Sequence, residues 1–167
     1  MLGVKKLLMK IFKIINKEHL TFLTVCFSVL ADQITKYYAD VYKTLLYPPL
    51  EIFSWLNIVY VENKGISFGI LSTLNISFYL GLLSFVVSFY IIYLLKKSKK
   101  KTEKIALSLI LGGALGNGID RVVREYVIDF IDISLNNIHW PAFNIADSSI
   151  TLGGILYFWL IIFKENQ

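Results

Sequence analysis

Carboxylates stand in this chain where apolar sequence would be expected. Asp147 lies in "AFNIADSSITLGG" (142–154), which runs straight into "ILYFWLIIF", and Asp129 and Asp132 lie upstream in "VIDFID" (127–132). Two carboxyl groups held a few Å apart cannot both ionise easily, so one pKa rises and the pair shares a proton near neutrality. The ionised member can then take a proton from water while the protonated member polarises a peptide carbonyl. Such a pair suffices for peptide hydrolysis, and spacing alone leaves open which two aspartates form it. Asp129 and Asp132 are i, i+3, so in a strand they point to opposite faces and at most one serves a given site. Other chemistries lack their parts. There is no G-x-S-x-G for a serine nucleophile and no H-E-x-x-H for a zinc protease. His19 and His139 are isolated, so no metal and no cofactor is expected.

The elements that must position these groups are apolar. Of 167 residues, 56% are hydrophobic and 17% charged, greasier than a soluble domain. Long apolar blocks predict four membrane-spanning helices at about 20–38, 71–95, 105–122 and 146–163. Five lysines (Lys5, Lys6, Lys10, Lys13, Lys17) precede the first block and six (Lys96, Lys97, Lys99, Lys100, Lys101, Lys104) lie between the second and third. Their position beside spans reads as topology control rather than nucleic-acid binding, and it puts both termini in the cytoplasm. Residues 1–17 alternate apolar positions with lysines at helical spacing, the pattern of an amphipathic helix on a membrane surface. No A-x-A site follows, so this segment is expected to stay on the mature chain. The segments 39–70 and 123–145 then face outward. They are rich in β-branched and aromatic residues and are expected to hold short strands. The chain is expected to be one polytopic domain, 1–167. Cys26 lies alone in an apolar run and reads as a small hydrophobe.

Polar residues gather at the outer ends of the spans: Asp32 and Lys36, Glu62 and Lys64 with Asn63, Asn117, Asp120 and Arg121, and Asp147. Polar groups at such depth pair, face a cavity, or act. Each has a structural reading. Asp32 and Lys36 are i, i+4, as are Asn117 and Arg121. Asp120 and Arg121 could snorkel together at the interface. Asp147, Ser148 and Ser149 could cap the fourth helix. Gly112, Gly113, Gly116 and Gly118 in "GGALGNG" let helices approach closely.

The blocks "DQITK" (32–36), "ENKGISFG" (62–69), "GGALGNGIDR" (112–121), "VIDFID" (127–132) and "FNIADSSI" (143–150) together resemble the lipoprotein signal peptidase (signal peptidase II) family, in family order over most of the chain. The resemblance implies a bacterial inner-membrane aspartic endopeptidase. Its substrates would be lipid-modified prolipoproteins, cleaved just before a diacylglyceryl cysteine, in the company of membrane lipids, with a small extracytoplasmic β-rich cradle and the site at the outer face. It implies Asp129 and Asp147 as the catalytic pair and sets Asp132 aside. Asn63, Asn117, Arg121 and Asn144 match positions lining the family's site, and Asp32, Lys36, Gly65, Gly113 and Asp120 match supporting positions. A monomer is expected. Ile66 and Ser67 depart from the two alanines common after N-x-G in the family. Two other classes fit the residues less well: a small transporter using the carboxylates as a proton relay, and a non-catalytic assembly factor held by its glycine faces.

Overall fold

In the computed structural model the described residues are 17–65, 76–136 and 138–163. The expected amphipathic segment before Lys17, and the Ile66–Ser67 departure, lie outside them. Four long helices are present among the described residues: α1 (Lys17–Val41), α2 (Ser77–Lys97), α3 (Lys101–Arg124) and α4 (Ile145–Ile162). A short 3-10 turn (Lys43–Leu46) follows α1. Strands β1 (Leu50–Phe53), β2 (Leu56–Asn63), β3 (Val127–Leu135) and β4 (Ile138–His139) complete the order.

Three of the helices, α2, α3 and α4, are long and apolar enough to cross a membrane. The first helix is not among them, because Asp32, Gln33, Lys36 and Asp40 dilute its apolar content. Their outward faces are apolar: Tyr79, Val86 and Phe89 on α2 and Leu152, Ile155 and Phe158 on α4 are all exposed. Helix α3 is the central element and packs against the other three. It ends at Glu125, whose φ of 63° lies in the left-handed region and turns the chain into β3.

Glycines set the helix spacing around α3. A Cβ at Gly113 would overlap the Ala146 carbonyl oxygen and fall 2.7 Å from Ile150 Cγ1 on α4. A Cβ at Gly116 would fall 2.7 Å from Asp32 Oδ2 on α1. The first collision is with backbone, so α4 must move, and Asp147 with it. We expect Gly113→Ala to lower stability by about 1–3 kcal/mol, the usual result of overpacking. Gly154→Ala, where a Cβ would meet nothing within 4 Å, should leave stability unchanged or higher. Thermal unfolding in detergent checks both, and equal melting temperatures would reject this account of the α3–α4 contact.

The strands form one antiparallel sheet in the order β1-β2-β3-β4. Between β2 and β3, Val61 pairs with Asp129 and Asn57 with Asp132, and β2 carries an extra residue between Ile58 and Val61. Strand β3 is buried on both faces over its first half. Val127 and Asp129 line a cavity between the helices. Ile128 and Phe130 point the other way, into a cluster with Ala39 of α1 and Leu46. The period of two thus aims Asp129 at the cavity and Asp132 at the opposite face of the strand.

Candidate active site

A cavity of about 920 Å³ opens between α2, α3, α4 and the start of β3. One part of its wall is apolar, with Leu83 and Val87 of α2, Ala114 of α3 and Ile150 of α4. Another carries Asn63, Asn117, Arg121, Asp129 and Asp147. These five come from β2, α3, β3 and α4, and sequence analysis singled out all of them.

The two aspartates are joined through Asn144. Its Nδ2 donates to Asp129 Oδ1 at 2.6 Å, and its Oδ1 accepts from the Asp147 backbone N–H at 2.9 Å. Its own backbone N–H donates to Asp147 Oδ2 at 3.3 Å. The last two bonds form a capping box at the start of α4. Asn144 is therefore the N-cap and Asp147 the third helical residue, so Asp147 caps the helix and faces the cavity at once.

The remaining carboxylate oxygens are also occupied. Asn63 Nδ2 donates to Asp129 Oδ2 at 3.0 Å, and Asn117 Nδ2 donates to Asp147 Oδ1 at 2.7 Å. Burial pushes the Asp129 carboxyl up to about 6, and the Asp147 charge adds to the rise. The Asn63 and Asn144 hydrogen bonds and the Lys36 charge pull in the other direction without cancelling it.

Behind this layer lies a fully buried ionic cluster. Lys36 Nζ is 2.8 Å from both Asp32 Oδ2 and Asp120 Oδ2 and donates to Asn117 Oδ1 at 2.9 Å. An ammonium only donates, so the Asn117 oxygen must face Lys36 and its amide nitrogen must face Asp147. Asp32 Oδ1 accepts from the Ala146 backbone N–H at 2.8 Å, which ties α1 to the first turn of α4. The Asp32–Lys36 pair expected from i, i+4 spacing is present. The snorkelling Asp120–Arg121 pair is not: Asp120 turns inward to Lys36, and Arg121 Nη2 donates to the Gly65 carbonyl at 3.0 Å. The two residues are neighbours on a helix and point in different directions.

Two participants escaped the sequence reading. Gln33 Nε2 reaches Asp32 Oδ2, Asp120 Oδ1 and the Gly116 carbonyl at 3.1–3.2 Å. Its place inside "DQITK" was the available signal. His139, read as isolated, lies 2.9 Å from Asp132 Oδ2, and Asn57 Nδ2 donates to the same oxygen at 2.8 Å. That group sits on the far side of the sheet, where antiparallel pairing of β3 with β4 brings His139 opposite Ser134.

A bundle of apolar helices around a cavity that carries ionisable side chains on part of its wall is the plan of a membrane enzyme. Two solved bacterial membrane enzyme structures match it. One superposes with a TM-score of 0.78 at 33% identity, covering 89% of this chain and 92% of that one. The other has a TM-score of 0.74 at 34% identity, covering 86% and 92%. The family model for signal peptidase (SPase) II matches residues 24–163. The lipoprotein signal peptidase of Thermodesulfovibrio yellowstonii is 42% identical over 84% of this chain and 93% of its own length. That of Psychromonas ingrahamii is 40% identical over 92% and 91%. The chain belongs to the signal peptidase II family, bacterial membrane proteases of lipoprotein processing.

Proposed function

We propose that this chain is an aspartic endopeptidase that removes the signal peptide from diacylglyceryl-modified prolipoproteins, cutting just before the lipidated cysteine with Asp129 and Asp147. The observation that carries the reading is the single cavity on which both aspartates lie, bridged by Asn144. The names of the similar proteins support the substrate class.

The pair works with one proton. Asp129, raised toward neutrality, holds it and polarises the scissile carbonyl, while Asp147 takes a proton from the attacking water. A tetrahedral intermediate forms directly, and Asp147 then returns a proton to the leaving amine. Asn117 and Asn144 keep the carboxylates oriented, and Asn63 holds Asp129. Arg121 anchors Gly65, and its buried Nε, which has no hydrogen-bond partner among the described residues, is available to a substrate carbonyl. The apolar wall on α2 and α4 takes the signal segment, and the acyl chains stay in lipid. Cleavage of a lipidated precursor, with an unlipidated one left intact, tests the reading; equal cleavage of both would reject the substrate class.

In this reading the chain is a monomeric single domain with four spans, both termini cytoplasmic and the cavity at the extracytoplasmic face. For α1, support comes from its two-sided pattern. Phe27, Leu30, Ile34 and Tyr37 are exposed at three- and four-residue spacing, while Asp32 and Lys36 are wholly buried. That is the arrangement of a span whose charges face the bundle.

The shared proton gives a pH signature. kcat/KM should fall as pH rises through the upper macroscopic step of the pair, at about 6. Asn63→Leu removes a donor to the ionised form of Asp129, so it should move that limb to higher pH, besides lowering the maximal rate. A pH profile on lipidated peptide measures the shift; a limb that stayed put or moved to lower pH would count against Asp129 as the proton holder.

A further inference from the structure

A second cavity, of about 440 Å³, lies beside the first turn of α2 and the last turn of α3 and shares no lining residue with the first. Two acids (Glu62, Glu125), two bases (Lys64, Arg124), Ser77 and the exposed Tyr79 are on its wall. Among the described residues none of the four charges is in an ion pair. Ser77 is 3% exposed, and among the described residues its Oγ has no hydrogen-bond partner. The Arg124 Nη1 is shielded from solvent and equally unpartnered. Buried polar atoms without partners are rare, and each calls for an explanation. Ser77 also opens α2, whose preceding residue, Ile76, supplies no side-chain cap. The first-turn N–H groups thus add an electropositive end to the same wall. Glu125, which ends α3 at a φ of 63°, stands on the same wall.

We infer that this cavity binds the zwitterionic headgroup of a phospholipid, its phosphate on Ser77, Arg124, Lys64 and the start of α2, and its ammonium on Glu62, Glu125 and Tyr79. The wall offers donors for an anion and acceptors for a cation in equal charge. A purely anionic headgroup would leave both acids facing it, and a purely cationic ligand would leave both bases. Tyr79 adds a ring face for an ammonium. The position suits a lipid, because α2 and α3 are both apolar enough to cross a membrane and end here, at the level where headgroups lie and aromatic residues collect. The inference rests on the membrane-spanning reading and not on the aspartate mechanism.

The test uses the purified full chain in detergent. Short-chain phosphatidylethanolamine, phosphatidylglycerol with the same chains, and glycerophosphoethanolamine without chains are titrated while retention is read by native mass spectrometry. The expected result is that the ethanolamine lipid binds about tenfold or more tighter than the glycerol lipid. Ser77→Ala and Arg124→Gln should each weaken it by a similar factor, and Glu62→Gln with Glu125→Gln should erase the preference while keeping the phosphate contact. If the chain-free compound binds as tightly as the lipid, the headgroup chemistry stands and the source is a soluble phosphoamine. Equal retention of the two lipids, or no loss in Ser77→Ala and Arg124→Gln, overturns the proposal. Cleavage of lipidated precursor by these variants shows that they are folded. A failed lipid preference with cleavage intact would therefore leave the proteolytic reading standing.

Discussion

Asp129→Asn and Asp147→Asn should each abolish cleavage of a lipidated precursor, with losses of several orders of magnitude in kcat/KM. The double variant should be hardly worse than either single one, because the two groups act as a unit. What separates catalysis from scaffolding is the stability of Asp129→Asn. An aspartate whose folded pKa stands near 6 rather than 3.8 favours the folded state when protonated. Its ionised form therefore weighs against folding above about pH 6, by at most about 3 kcal/mol, and ceases to do so below about pH 4. Asp129→Asn should thus unfold at a temperature equal to or above wild type at pH 7, and the gain should vanish in acid. A variant that is both inactive and strongly destabilised at pH 7 would indicate that Asp129 is mainly structural. Normal turnover by either variant would remove the dyad altogether.

Lys36→Met carries the second large effect, and it acts at a distance from the reacting atoms. Lys36, Asp32 and Asp120 are all but inaccessible to solvent, so removing the ammonium leaves two buried carboxylates with no counter-charge. Breaking a buried ion cluster in this way costs about 3–5 kcal/mol. Activity should fall for a separate reason. Asn117 loses the shorter of the two donors at its oxygen and keeps only the 3.3 Å bond from Asn144, so its amide is held less firmly against Asp147, which it meets at 2.7 Å. The two effects can be separated by adding Asp120→Leu, which removes one of the stranded charges. The double variant should recover much of the thermal stability and little of the kcat. If kcat returns together with stability, Lys36 does no more than hold the fold.

Local spacing carried a large share of this arrangement. The i, i+4 relation of Asp32 and Lys36, the shared groove of Asn117 and Arg121, and the opposite aims of Asp129 and Asp132 all follow from helix and strand periods. These hold because a helix turn or a strand pleat is the same wherever it occurs. The motif blocks, taken together, pointed to the family and the aspartate pair. The outer strands were legible as β-branched runs flanked by turns. What could not be read was which local groups meet. Lys36 bonds to Asn117 across 81 positions, Asp32 caps the α4 backbone across 114, and His139 finds Asp132 only because β4 folds back on β3.

By itself, then, the sequence determined the elements, the faces they present and the chemistry available on those faces. Only the tertiary structure decided that Asn144 would bridge Asp129 and Asp147 and that one lysine would orient the asparagine beside them. The physical reason is that periodicity fixes directions along one element. The rotation and spacing between elements come from close packing at contacts such as Gly113 against Ala146 and Gly116 against Asp32, and these exist only once the helices have met.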